Sequence, residues 1–297
     1  MKWKRGGGSQ DVIDARGASS GGGGGGLGGI PIRAGGGLGI VGLIVYIVIQ
    51  LAGGGVGGLG INNPLSGAGG AEATSHPIPA SQDPDKDLKD FSVYVFHNVQ
   101  NTWQKLFRAE GKPYAHDKLV LYRGGVNTAC GSATSAVGPF YCPGDQRVYL
   151  DLSFYKDMVD KLGGKGGDFA WAYVIAHEMG HHVQNELGTM DQVDKARSDN
   201  PDDANALSVR LELQADCYAG VWAHAVYAAG DLDKGDIDEA LDAANSVGDD
   251  RLQRRAGGGI HPDSFTHGTS EQRKRWFERG HANGDPSDCD TFNADNL

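Results

Sequence analysis

Residues 177–181 read His-Glu-Met-Gly-His: two imidazoles four positions apart, with a carboxylate beside the first. On a helix turning about 100° per residue, His177 and His181 fall about 40° apart on one face and can grip one ion, while Glu178 stands about 100° round the same side. From that angle Glu178 is badly placed as a ligand. It is well placed to hydrogen-bond a water in an open coordination position and take its proton, which is the chemistry of hydrolysis by a zinc-activated water. A two-histidine site needs a third protein ligand, and the next strong helical segment offers Glu212 and Asp216 one turn apart. Glu212 reads as the ligand, and Asp216 as the carboxylate that holds a histidine ring by its other nitrogen. Asp216 as the ligand itself, or a solvated acidic face, are the alternatives.

These residues need two long helices to carry them. Asp168 reads as an N-cap, Phe169, Tyr173 and Ala176 recur at helical spacing, and Gly188 suits the position after the last turn, giving a helix of about twenty residues. The second helix takes Asn200 as cap and Pro201 as its first residue, and runs through Gly220 to Ala229. Its small residues Ala215, Ala219, Gly220 and Ala223 would let it pack closely on the His177 helix. Upstream, apolar residues at helical intervals predict a helix over 91–107. Residues 118–122 and 147–152 read as strands, with a turn at Pro143 to Gln146. A small twisted sheet beside the metal helix could offer an edge to an extended peptide; the sequence leaves open which strand forms that edge, and a purely structural hairpin over 130–152 is the alternative. A last helix starts near Thr269, with Gln272 completing a capping box, and ends at Gly280.

Four strings together resemble the bacterial family of neutral zinc metallopeptidases, of the gluzincin type. They are His177-Glu-Met-Gly-His-His182-Val-Gln184, Glu212-Leu-Gln-Ala-Asp216-Cys-Tyr-Ala-Gly220, Ala136-Val-Gly-Pro-Phe-Tyr-Cys142-Pro143 and Val148-Tyr-Leu-Asp-Leu-Ser-Phe154. The resemblance runs from about Lys86 to the C-terminus. It implies an α+β, zincin-like domain, mainly helical with a small twisted sheet, with zinc held by His177, His181 and Glu212 and with Glu178 as catalytic base. It implies little about substrate. The segment from Ser264 to Arg273 resembles the His-containing segment that follows the metal-ligand helix in membrane-associated relatives. His267 is therefore the candidate for stabilising a developing oxyanion, with a loop hydrogen-bonding role as the alternative, and Arg273 reads as a brace for Asp216 or another carboxylate. His182, about 140° round from His177, points away from the ligand face and reads as structural or solvent-facing.

Composition divides the chain. About half of its 48 glycines precede residue 71, and no charge occurs between Arg33 and Glu72. The expected organisation is a Gly-rich cytoplasmic tail over 1–37, one transmembrane helix over 38–59, a flexible linker over 60–85 and the peptidase domain over 86–297. A cleavable signal ending near Ala71-Glu-Ala73 is the rival to a retained span. Lys2, Lys4, Arg5, Arg16 and Arg33 before the span, against Asp11 and Asp14, put the N-terminus in the cytoplasm and the catalytic domain in the periplasm or its equivalent.

On that exported side lie all four cysteines. Of three pairings, Cys130 with Cys142 and Cys217 with Cys289 is preferred; a cysteine zinc site, for which no close Cys-x-x-Cys pair exists, and reduced thiols are the alternatives. The net charge of −11 argues against a nucleic-acid partner. The acidic stretches 191–203 and 231–250 lack an EF-hand arrangement and read as solvated. The expected function is a membrane-anchored, zinc-dependent peptidase acting on peptide or protein substrates. The competing class is a catalytically silent, zinc-containing envelope protein that binds partners through its cleft.

Overall fold

The computed structural model describes residues 1–5, 10–17, 73–134, 137–257 and 259–297. They form an α+β fold, mainly helical with a small mixed sheet. In chain order the strands are β1 (Val12–Asp14), β2 (Lys118–Tyr122), β3 (Gly125–Thr128), β4 (Gly131–Thr134), β5 (Phe140–Cys142) and β6 (Arg147–Asp151). The helices are α1 (Lys86–Ala109), α2 (Phe154–Asp160), α3 (Asp168–Glu186), α4 (Thr189–Asp199), α5 (Ala204–Ala228), α6 (Asp236–Ser246), α7 (Asp249–Arg255) and α8 (Ser270–Asn283). The main sheet has the order β1-β2-β6-β5, parallel except for β5, which runs antiparallel to β6; β3 and β4 form a separate hairpin.

The metal-motif helix α3 is apolar nearly all round, as a helix in the centre of a core must be. Trp171, Ile175, Ala176 and Met179 have no exposed surface. It packs against α1, α5 and α6, with β5 and β6 beside it. The expected helix over 91–107 is the core of α1, whose Phe91, Val95, Val99 and Trp103 face inward. Both expected strands are present as β2 and β6. Three boundaries differ from expectation. Asp168 is the first helical residue of α3 rather than its cap, because Gly167 at φ 114° makes the entry turn. The second long helix opens with a 3-10 turn at Pro201–Asp203 before α5 proper. The last helix does have the Thr269/Gln272 capping box, but it runs past Gly280 to Asn283 and stops at Gly284, φ 68°.

Gly280 lies inside α8 because the helix crosses α5 at backbone distance. A Cβ there would stand 2.0 Å from the Cys217 carbonyl oxygen, and one on Gly220 would stand 2.1 Å from that of Phe277. Gly220 therefore serves the contact with α8. The close approach to the His177 helix comes from Ala215, whose Cα a Cβ on Gly180 would meet at 3.1 Å. Gly220→Ala should cost the about 1–3 kcal/mol of stability typical of overpacking, or more, since backbone must move, and so lower the thermal midpoint. An unchanged midpoint in a thermal melt would remove this explanation of the glycine.

Both expected disulfides are present. Cys130–Cys142 ties the β3–β4 turn to the end of β5, and Cys217–Cys289 ties α5 to the C-terminal 3-10 turn Pro286–Cys289. The expected span over 38–59 lies outside the described residues. Among those described, no helix is long and apolar enough to cross a membrane. Of the expected tail over 1–37, residues 1–5 and 10–17 are described, and they pack with the domain, Val12–Asp14 as strand β1 on β2.

Candidate metal centre

Four residues apart on α3, the rings of His177 and His181 sit edge to face with centroids 4.8 Å apart. Each is fixed through one nitrogen. His177 Nδ1 donates to Asp216 Oδ1 at 2.9 Å, and His181 Nδ1 donates to Gln184 Oε1 at 2.8 Å. Both Nε2 atoms are thereby turned to the same point, where α5 delivers Glu212. Glu212 Oε2 lies 3.2 Å from His177 Nε2, and Oε1 lies 3.5 Å from His181 Nε2. Donors about 2.0–2.1 Å from a tetrahedral zinc are about 3.3 Å from one another, and each of these separations is close to that, with one ligand atom from each of the three residues lying within 4.8 Å of the others. His177, His181 and Glu212 are the group a metal ion fits, and the donor set of two imidazoles and one carboxylate leaves a fourth position open.

Asp216 is the hub behind the site. Wholly buried, it accepts from His177, from Tyr173 Oη at 2.5 Å, and from the Arg273 guanidinium through Nε at 2.8 Å and Nη2 at 2.9 Å. Burial alone would raise its pKa, but Arg273 and then His177 hold it down at about 2. The same partners act on His177: burial opposes its charge, while Asp216 and then Glu212 raise its pKa to about 10. A metal ion arriving at Nε2 must therefore displace a proton. Asp216 faces Nδ1 of His177 while Glu212 faces its Nε2. Arg273 braces Asp216, the first of its two expected alternatives.

Glu178 is nearly buried on the cleft side of α3. Burial raises its pKa, Glu212 adds to the effect, and the two imidazoles oppose it. That direction brings a carboxylate closer to the range of an effective proton acceptor at neutral pH. His267 lines the same cleft, from the loop before α8. Its ring donates from Nδ1 to Asp249 Oδ1 at 3.2 Å, and its backbone N–H to Asp249 Oδ2 at 2.7 Å. Burial opposes its charge, while Glu212 and then Asp249 raise its pKa.

The cleft over the site has a cavity of about 280 Å³. Phe140 and Tyr141 of β5 form one wall; Phe154, Leu162, Val174, Val247 and Leu252 give it an apolar lining, and Asp194 and Arg197 add charge. Of the main sheet's two edge strands, β1 and β5, it is β5 that lines this cleft. His182 is fully buried, donating from Nε2 to the Ala115 carbonyl at 2.9 Å and packed between Tyr114 and Tyr141, so of its two expected roles it takes the structural one. Of the acidic stretches, Asp236 with Asp168 faces the α-ammonium of Met1 at 3.2 and 2.9 Å.

Three supporting residues were missed in the sequence reading. Tyr173 and Gln184 are neighbours of the histidines at helical spacing, four residues before His177 and three after His181, but periodicity alone gives Tyr173 no role beyond marking the helix. Gln184 also donates to the Leu211 carbonyl at 2.6 Å, tying the His181 ring to α5. Asp249 carries no local signal, since its partner lies 18 residues away in a loop.

A family model described as "Putative neutral zinc metallopeptidase" matches residues 1–292. The chain is 46% identical over 296 residues to the uncharacterized protein YpfJ of Escherichia coli K12, covering 98% of this chain and 99% of that one. It is 42% identical over 215 residues to the uncharacterized protein Mb2605 of Mycobacterium bovis, covering 69% of this chain and 71% of the relative. No solved structure matches. The match over nearly the whole chain, joined to a buried His-His-Glu group of metal-binding geometry, places this protein in the neutral zinc metallopeptidase family.

Proposed function

We propose that the protein is a zinc-dependent peptidase whose catalytic domain works outside the cytoplasm, held at the membrane through the apolar stretch 38–59. The observation that carries the catalytic reading is the convergence of both histidine Nε2 atoms and the Glu212 carboxylate on one point in a cleft that also holds Glu178. When bound by His177, His181 and Glu212, zinc would acidify water and polarise the scissile carbonyl. Glu178 takes the proton of the attacking water and passes one to the leaving amine. His267, oriented by Asp249, donates toward the oxygen on which negative charge develops. Two disulfides support an oxidising compartment, and the net negative charge supports a peptide rather than a nucleic acid as substrate.

The cleft also suggests how a peptide is held. Strand β5 ends the sheet beside the metal group, so its outer backbone groups can pair with an extended chain without reading its side chains. Selectivity then falls to the apolar lining, which favours a bulky apolar side chain next to the scissile bond. Zinc-loaded full-length protein incubated with a broad peptide library should give cleavage products enriched in such side chains at the cut, and a chelator should abolish them. Absence of any cleavage by zinc-loaded protein would favour the partner-binding reading.

A further inference from the structure

The structure seats the beginning of the chain in the catalytic fold. Strand β1 pairs in parallel with β2, Val12 opposite Leu119 and Asp14 opposite Leu121, and flanking backbone bonds run from Leu119 N to Asp11 O and from Ala15 N to Leu121 O, both at 2.8 Å. Arg16 is buried between two carboxylates from distant parts of the sequence. Its guanidinium meets Asp14 at 2.8 Å and Asp83 at 2.6 Å. Trp3 packs edge-on against Phe91 of α1, and the α-ammonium of Met1 meets Asp168, the first residue of the metal helix, at 2.9 Å.

The surface that receives this segment is ill suited to stand bare. Leu119, Val120 and Leu121 have no exposed surface where they are, and without β1 the edge of β2 would present unpaired backbone groups. Asp83, buried to 9% exposure, would lose the guanidinium that binds it through two oxygens. Charge pairs of that kind are costly to break from one side. The segment is also tied to the chain that follows the undescribed residues: Gly17 N donates to His76 O and His76 N to Asp14 O, each at 2.7 Å, so Gly17 and His76 lie side by side.

We propose that residues 10–17, which carry strand β1, are a working part of the catalytic fold and share one compartment with residues 73–297. This replaces the expectation of a cytoplasmic N-terminus facing an exported domain. Whatever course 18–72 takes, its two ends lie on the same side of the membrane. The proposal concerns sidedness alone, and stands whether or not the metal group is catalytic.

Single cysteines at two exposed positions, Gln10→Cys and Glu278→Cys, introduced separately into the full chain, test it with a membrane-impermeant maleimide on intact cells and on permeabilised ones. Equal labelling of both positions before permeabilisation is the expected result. Labelling of Glu278→Cys in intact cells with Gln10→Cys protected until permeabilisation would overturn the proposal. Protection of both would keep the shared compartment but refute the exported location proposed above. An independent reading comes from hydrogen exchange on the purified full chain. Backbone amides of 12–16 should be protected like those of β2, and exchange at the rate of an unstructured peptide would overturn the docked strand.

Discussion

Glu178→Gln should leave the zinc content of the protein unchanged and lower peptide hydrolysis by about 10²- to 10⁴-fold, the usual contribution of a positioned acid–base group. The amide keeps the shape of the carboxylate and cannot accept the proton of the attacking water. None of the three converging donor groups is altered, and both imidazoles keep the partners that orient them, Asp216 and Gln184. Stability should not fall either, since a neutral amide replaces a carboxylate whose charge burial already disfavours. Zinc content by atomic emission, a thermal melt and a peptide assay on the same preparation separate the outcomes. Activity within a few-fold of the unsubstituted protein would mean that another group removes the proton; loss of zinc would mean that Glu178 is a ligand.

That so much of this site could be read beforehand follows from helical periodicity. His177, Glu178 and His181 share one helix, as do Glu212 and Asp216, and a fixed angle per residue decides which side chains meet. Capping chemistry is equally local, which is why Thr269 and Gln272 were legible as the start of α8. What escaped depends on contacts between segments far apart in sequence. Gly280 looks like a terminator until α5 is seen pressing a carbonyl against it, and nothing near Asp249 announces a histidine loop 18 residues on. Strand β1 is the extreme case. Its three residues, Val-Ile-Asp, carry almost no periodic signal, and they become a strand because β2, more than a hundred residues later, offers an open edge. The glycine-rich sequence that follows gives no sign that residues 12–14 pair with a strand so much later in the chain.

Glu212→Gln and substitutions of Asp216 should separate the ligand from the residue behind it. Glu212→Gln replaces an anionic donor with a weak neutral one at the mouth of the site, so zinc content and hydrolysis should fall together while the thermal midpoint of the metal-free protein changes little. Asp216 is different because its carboxylate is also the counter-charge of a buried guanidinium. Asp216→Ala would leave Arg273, with 4% of its side chain exposed, without its carboxylate, and an uncompensated buried charge costs about 3–5 kcal/mol, a large part of a typical domain's stability. The metal-free protein should melt markedly earlier. Asp216→Asn keeps the shape and one acceptor for Arg273; it should fold better than the alanine variant but bind zinc about 10- to 100-fold more weakly, because the His177 ring loses the anion at Nδ1. Zinc titrations and thermal melts of the three variants give a pattern with one reading. If Glu212→Gln retained full zinc occupancy while Asp216→Asn lost it, Asp216 would be the ligand and Glu212 a carboxylate of the cleft wall.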